Sequence, residues 1–309
     1  MNLEPSSQLN LHVIGKYVLD LSKLYLNNKL PNKMLLSCEK GIGKSTLAYH
    51  LINFILSQDE EFSYDIQNLK IDPENRSFKL LQNKSSSNFI LVDVNEEKKM
   101  IDINQIRNMI LNLNKSSFNN KARLVLIDNI ELLNINAVNA LLKILEEPND
   151  NINFILINNN KKILPTLKSR CLNFKIQLTT NQVFDITNKI LKDNYIKLIN
   201  NEILNIYNTP GEILKLIDFA RNNEIDLKQI SLVQLINKII MDKNYKRDSY
   251  TKQLIYSLIE IYFRNNISIN NIQLINLYHY FLKKINYTKI YNLDEESLFM
   301  EFEDRVLNG

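Results

Sequence analysis

Hydrophobic residues in the first half of the chain form short continuous runs. The four runs are "KMLLS" (33–37), "FILVDV" (89–94), "ARLVLID" (122–128) and "FILIN" (154–158). Runs of this length without polar alternation are typical of strands that are buried on both faces of a parallel sheet. The pattern therefore predicts a central parallel sheet.

Between these runs, apolar residues recur at the spacing of an amphipathic helix. They are Leu47, Leu51, Phe54 and Ile55 in one segment, Ile103, Ile106, Ile110 and Leu113 in the next, and Ala137, Ala140, Leu141, Ile144 and Leu145 in the third. We expect Pro148 to end the third helix. Strands that alternate with helices predict a doubly wound α/β domain over residues 1–176.

After Ile176 the strand pattern fades and helical periodicity takes over. Residues 181–220 predict two or three short helices, interrupted at "NTPGE" (208–212). Longer helices are predicted for "LVQLINKII", "YTKQLIYSLIEIYF" and "IQLINLYHYFLKKI". Their aromatic stripe comprises Tyr256, Tyr262, Phe263, Tyr278, Tyr280 and Phe281. We interpret it as a helical core, with a packing surface for partner subunits as the alternative.

Composition restricts the classes of function. The chain has 309 residues, of which 45% are hydrophobic and 23% charged, as in a globular protein of two or three domains. Its 2 cysteines and 3 histidines leave no spaced zinc cluster and no disulfide framework, which favours a cytoplasmic location. We expect neither export nor membrane insertion, because no apolar run reaches the ~20 residues of a membrane span. The net charge of +4 is too small to predict nucleic-acid binding.

The stretch "SCEKGIGKST" (37–46) carries the clearest chemical pattern. A strand, a glycine-rich turn and a helix that opens with Lys and Ser form an arrangement in which backbone N–H groups surround a phosphate. The predicted nucleotide-binding residues are Gly41, Gly43, Lys44, Ser45 and Thr46. Lys44 would contact the outer phosphates and Ser45 would hold Mg²⁺. The alternative is a tight turn that uses glycine for geometry alone.

Two further positions bear on hydrolysis. Cys38 stands where such a loop normally begins with glycine, and a positive φ there would cost roughly 1–2 kcal/mol. Asp128 ends a buried strand and is the predicted second support for Mg²⁺. An active ATPase of this architecture normally has Glu next, whereas Asn129 cannot accept a proton.

A longer block, from Ile101 to Lys175, carries a family resemblance. It contains "NAVNALLKILEEP", an apolar strand and then "LPTLKSRC", and "LNNKLPNKMLLS" (26–37) leads into the glycine-rich loop. These stretches resemble the clamp-loader branch of the AAA+ ATPases, and within it the delta-prime subunits of bacterial DNA polymerase III. The resemblance covers residues 10–176 and is thin beyond them.

The resemblance implies a P-loop α/β domain (1–176), a helical lid (177–222) and a helical collar for oligomerisation (223–309). It also implies a hetero-pentameric ring with gamma/tau and delta subunits that loads the sliding clamp onto primed DNA. In that ring Arg170 would act in trans as an arginine finger on a neighbour's nucleotide. From the residues alone, the alternative for Arg170 is a salt bridge within the domain. Ser169 and Cys171 would hold this turn in place.

The chain departs from the resembled family at two further places. Many relatives carry a Cys-rich zinc module before the strand of Asp128, and no zinc is expected here. Hydrolysing relatives carry a lid Arg where this chain has "NTPGEIL". Asn158 or Asn159 would serve as the polar sensor at the end of its strand.

Together these features lead to a hypothesis of a clamp-loader subunit with absent or weak ATP hydrolysis, and they leave ATP and Mg²⁺ binding open. An active AAA+ ATPase of the clamp-loader or DNA-remodelling type is the alternative. A small-molecule P-loop kinase is a third candidate, for which the chain offers no catalytic acid.

Overall fold

The computed structural model describes residues 3–95, 98–114, 121–147, 151–204, 208–247, 249–267, 272–291 and 293–307. Pro148, which we expect to end a helix, lies outside these residues. The chain forms two compact units, one of residues 1–189 with 209–211 and one of residues 190–208 with 212–309. The three-domain division with boundaries near 176 and 222 stays a prediction.

A parallel sheet forms the centre of the first unit. Its strands are β1 (Lys33–Ser37), β2 (Phe89–Val92), β3 (Arg123–Ile127), β4 (Ile152–Asn158) and β5 (Leu172–Lys175), in the order β2-β3-β4-β1-β5. The four predicted runs are β1 to β4. The fifth strand lacks an apolar run because three of its four residues are exposed.

Helices precede, connect and follow the strands in the first unit. They are α1 (Gly15–Leu26), α2 (Lys44–Leu56), α3 (Arg76–Gln82), α4 (Ile103–Leu113), α5 (Ile135–Glu146), α6 (Pro165–Lys168) and most of α7 (Thr180–Leu191). Side chains cap several of them at the N-terminus: Asn75 caps α3, Asp102 and Gln105 form a capping box on α4, and Asn134 caps α5. The three predicted helices of this part are α2, α4 and α5.

Successive strand residues point to opposite faces of the sheet, and in β1, β3 and β4 the residues on both faces are buried. Leu36 belongs to an apolar cluster with residues of α1 and α2. Leu35 belongs to a second cluster with residues of α4 and α5. This two-sided burial explains why the strands read as continuous apolar runs.

The second unit is helical. It contains most of α8 (Pro210–Asn222), then α9 (Leu232–Met241), α10 (Ser249–Asn266), α11 (Ile272–Tyr291) and α12 (Glu295–Phe302). Four fully buried phenylalanines, Phe263, Phe281, Phe299 and Phe302, lie in its core. Most of the aromatic stripe is buried or half-buried, as interpreted, although Tyr280 is 42% exposed.

Candidate functional site

The carboxyl ends of the parallel strands bring the candidate site residues to one edge of the sheet. β1 pairs with β4 in a register that sets Ser37 beside Asn158, and β2 pairs with β3 so that Val92 lies beside Ile127. Asp93 and Asp128 follow directly after these last two residues. The glycine-rich loop therefore leaves the sheet next to two carboxylates.

The glycine-rich loop has the backbone that its sequence predicts. Gly41 has φ 90° and Gly43 has φ 94°, in the left-handed region where a side chain costs roughly 1–2 kcal/mol. Cys38 is not among the residues with positive φ. The strain considered for Cys38 therefore does not arise, and the loop tolerates cysteine at its first position.

The ammonium of Lys44 lies against the loop. Its Nζ donates to the carbonyl oxygens of Cys38 at 2.9 Å and Glu39 at 2.5 Å. The side chain is buried, and burial lowers the pKa of Lys44 to about 8, while Asp128 and Glu131 act in the opposite direction. At pH 7 most Lys44 side chains are therefore protonated, and this positive charge lies beside the loop that would receive an anion.

Ser45 and Asp128 are in direct contact. The Ser45 hydroxyl donates to Asp128 Oδ2 at 2.5 Å. Burial raises the pKa of Asp128, and the nearby Asp93 carboxylate adds to this effect. Hydroxyl and carboxylate oxygens are ligands that Mg²⁺ takes, directly or through water, so the pair fits the ion that would neutralise phosphate charge. Thr46 follows in the first turn of α2 and is half-buried.

Asn129 is held in a polar network on the far side of Asp128. It has φ 56°, and its Nδ2 donates to Asp93 Oδ1 at 2.7 Å. Its Oδ1 accepts from Asn159 Nδ2 at 2.8 Å. Asn159 also donates to the Glu131 carboxylate through its Nδ2 at 3.0 Å and its backbone N at 3.2 Å. Both polar atoms of the Asn129 amide are thus engaged by protein groups.

The sequence alone did not identify two residues of this network, Asn159 and Asp93. Of the two candidate sensors, Asn158 bonds locally to the backbone of Lys161, whereas Asn159 reaches Asn129. Asp93 was not among the predicted site residues. Its position directly after an apolar run was the available signal, because parallel strands end at a shared edge.

Arg170 lies away from this network. Its guanidinium forms an ion pair with Glu146 at the end of α5 and donates to the Thr166 carbonyl at 2.8 Å. Side-chain exposure is 32% for Arg170 and 54% for Glu146. The salt bridge within the domain, the alternative from composition, is present. Because both partners are solvent-accessible, the pair is the kind that contributes little to stability.

The sequence matches one protein-family model, that of DNA polymerase III, delta subunit, over residues 15–180. The match includes the glycine-rich loop, Asp128, Asn129 and Arg170. The chain belongs to this family. The predicted relationship to the clamp-loader family of DNA polymerase III is confirmed.

Individual members of related groups share modest identity with this chain. DNA polymerase III subunit gamma of Buchnera aphidicola subsp. Schizaphis graminum is 29% identical over 184 residues, covering 58% of this chain and 48% of that protein. DNA polymerase III subunit delta' of Buchnera aphidicola subsp. Baizongia pistaciae is 33% identical over 155 residues, covering 47% and 44%. The chain thus spans about half the length of the curated relatives it matches.

A solved structure supports the fold. A DNA polymerase III, gamma subunit-related protein from Thermotoga maritima superimposes with a TM-score of 0.53 at 17% identity, over 91% of this chain and 96% of that one. The predicted fold class, a parallel α/β domain followed by helices, is confirmed. The roles of the individual site residues, Gly41, Gly43, Lys44, Ser45, Thr46, Asp128 and Arg170, stay predictions.

The surroundings of Ser169 and Cys171, the neighbours of Arg170 in sequence, fit structural roles. Ser169 Oγ donates to the Thr166 carbonyl at 3.1 Å, which closes the turn. Burial raises the pKa of Cys171 to about 11, so its thiol stays protonated and is a poor nucleophile at neutral pH. Neither residue has the surroundings of a catalytic group.

The described residues contain no group of three or more His, Cys, Asp or Glu side chains arranged to hold a metal ion. None of the helices in the described ranges is both long and apolar enough to span a bilayer.

Proposed function

We propose that this chain is a delta-prime-type clamp-loader subunit with little or no ATP hydrolysis of its own, which supplies Arg170 to a neighbouring ATPase. The observation that carries the proposal is the environment of Asn129. Next to a complete Lys44, Ser45 and Asp128 set, the position of the expected base holds an amide bonded to Asp93 and Asn159. An amide in this position orients neighbours but takes no proton from water.

The glycine-rich loop supports retention of a nucleotide-type site. Gly41 and Gly43 keep their left-handed conformation, and Lys44 stays beside the loop. A loop of this form at a helix N-terminus offers backbone N–H groups and a positive dipole to a phosphate. The chain would hold a nucleotide as a structural or regulatory ligand.

Arg170 is suited to act outside its own domain. Its ion pair with Glu146 is partly exposed, so separating the two groups costs little. A guanidinium offers several N–H donors in a fixed plane, which match the oxygens of a phosphoryl group. The neighbour's triphosphate carries more charge than Glu146 and would displace it.

The names of the relatives point to the assembly in which this would take place. Similar proteins are called gamma, gamma/tau and delta' subunits of DNA polymerase III. We therefore propose gamma/tau and delta subunits as ring partners, with the sliding clamp and primed DNA contacted through the complex. ATP turnover in the partners would drive clamp loading.

Arg170→Ala in the reconstituted complex tests the proposal. With cognate gamma/tau and delta subunits, clamp and primed DNA, we expect a loss of at least about tenfold in DNA-stimulated ATP hydrolysis. Arg107→Ala, at an exposed position on α4, is the control and should leave the rate unchanged. Gel filtration should show the same assembly for both variants. An unchanged rate for Arg170→Ala would make Arg170 a structural residue.

An active AAA+ ATPase is the second candidate, because the contact between Ser45 and Asp128 is intact beside Lys44. ATP turnover by the isolated chain distinguishes the two. We expect turnover at the level of the Lys44→Ala variant. Turnover well above that level, abolished by Lys44→Ala, would establish the enzyme and displace the first proposal.

A further inference from the structure

A second stretch of backbone contacts the glycine-rich loop inside the first unit. Residues 209–211 belong to that unit although they are distant from the loop in sequence. Thr209 is 4% exposed and Pro210 is buried. The backbone N–H of Gly211 donates to the carbonyl oxygen of Gly41 at 2.9 Å. The contact is therefore backbone to backbone, at the loop residue with φ 90°.

The contact leaves no room for a side chain at position 211. A Cβ added to Gly211 would lie 2.8 Å from Gly41 Cα and 2.9 Å from Gly41 O. Both distances are shorter than van der Waals contact, and both partners are backbone atoms that cannot rotate away. Within the described ranges, positive φ among glycines is found at Gly41 and Gly43 and not at Gly211. Glycine at 211 is therefore required for space and not for backbone conformation.

We infer that Gly211 is a positioning residue for the phosphate loop. Its N–H fixes the Gly41 carbonyl, while the Lys44 ammonium fixes the carbonyls of Cys38 and Glu39. Phosphate is recognised by N–H groups, and carbonyl oxygens repel it. With three loop carbonyls held by donors of the protein, the loop is pre-organised with its amides available to an anion.

Gly211→Ala tests this inference through the direction of its effect on stability. Helix propensity alone predicts the opposite direction. Gly211 is the second residue of α8, where alanine normally favours the helix over glycine by up to about 1 kcal/mol. The overlap with Gly41 opposes this gain. We therefore expect Gly211→Ala to lower the melting temperature, whereas relief of glycine's entropy alone would raise it.

Amide hydrogen exchange of the 309-residue chain gives the decisive measurement. In Gly211→Ala we expect peptides covering residues 38–46 to exchange about tenfold faster, with β3 and β4 unchanged. Arg221→Ala, at an exposed site on the same helix, is the control and should leave the loop as in the wild type. Unchanged loop exchange in Gly211→Ala would overturn the inference.

MgATP binding gives a second readout, and this arm rests on the proposed function. Calorimetry should show weaker binding by about fivefold or more in Gly211→Ala, because part of the binding energy would go into ordering the loop. If the wild type binds no MgATP, the proposed nucleotide site is wrong and hydrogen exchange still decides the role of Gly211. Equal binding in both proteins would also contradict the inference.

Discussion

At the scale of single residues, the charge of Lys44 should make phosphate binding by the loop depend on pH. Its pKa lies at about 8 because the side chain is buried, well below the ordinary value of 10.5. The ammonium that would attract phosphate is therefore present at pH 7 and lost as pH rises through about 8. We expect the affinity for MgATP to fall between pH 7 and pH 9, as measured by calorimetry. An affinity that is constant over this range would show that Lys44 makes no charged contact with phosphate.

The hydrogen bonds of Asn129 lead to a second prediction at this scale. In Asn129→Glu a carboxylate replaces the amide that donates to Asp93, and two negative groups then face each other beside Asp128. We expect a loss of stability of about 1–3 kcal/mol, from the lost hydrogen bond and the repulsion. The midpoint of urea unfolding measures it.

The matched variant for Asn129→Glu is Asp93→Asn combined with it. This double variant exchanges the amide and the carboxylate, so part of the lost stability should return. If Asn129→Glu is as stable as the wild type, the contact with Asp93 contributes nothing. If the double variant is less stable than Asn129→Glu, repulsion between the two acids is not the cause.

The residue scale also shows where sequence reasoning ends. The loop, Asp128 and Asn129 are recognisable because their roles depend on neighbours in sequence. The partners of Asn129 are Asp93 and Asn159, which lie 36 and 30 positions away. The ion pair of Arg170 with Glu146 spans 24 positions. Only the strand order brings such pairs together, and a single sequence does not specify side-chain partners.

At the scale of elements, burial decides which parts of the fold were predictable. β1 to β4 lie inside the sheet or carry a continuous apolar run, so the sequence reveals them. β5, "LNFK", is an exposed edge strand and has no such run. α4 was predictable because its apolar residues recur at helical spacing, and the capping box found in the structure agrees with that pattern.

The N-terminus of α4 carries an element-scale prediction. The Asp102 carboxylate accepts from the backbone N–H groups of Asn104 and Gln105. The backbone N–H of Asp102 in turn donates to Gln105 Oε1. Asp102→Ala should destabilise the protein by about 1 kcal/mol, because these donors lose their acceptor. Asp102→Asn keeps an acceptor oxygen and loses only the exposed ion pair with Lys98, so it should remain close to the wild type. Thermal unfolding measures both, and equal losses would assign the effect to charge.

At the scale of the whole molecule, a buried histidine in the core of the first unit carries a prediction. The first unit buries His50 completely, with Nδ1 2.9 Å from the Tyr64 hydroxyl and Nε2 3.1 Å from the Gln8 carbonyl. Because a carbonyl only accepts, Nε2 carries the proton and Nδ1 accepts from Tyr64. The imidazole thus ties the N-terminal segment to α2 in its neutral form.

This arrangement makes the stability of the whole chain sensitive to acid. Burial lowers the pKa of His50 to about 4, against 6.5 for the ordinary group, so between these values the unfolded chain binds the extra proton. The stability that depends on a neutral His50 is fully present above pH 6.5 and is lost as pH falls towards 4. The total loss is on the order of 3 kcal/mol in the free energy of unfolding. Urea unfolding at pH 7 and pH 4.5 should show this loss in the wild type. His50→Gln keeps one donor and one acceptor without a titrating group, so its stability should fall less over the same range. A fall as large as that of the wild type would assign the acid sensitivity to other groups.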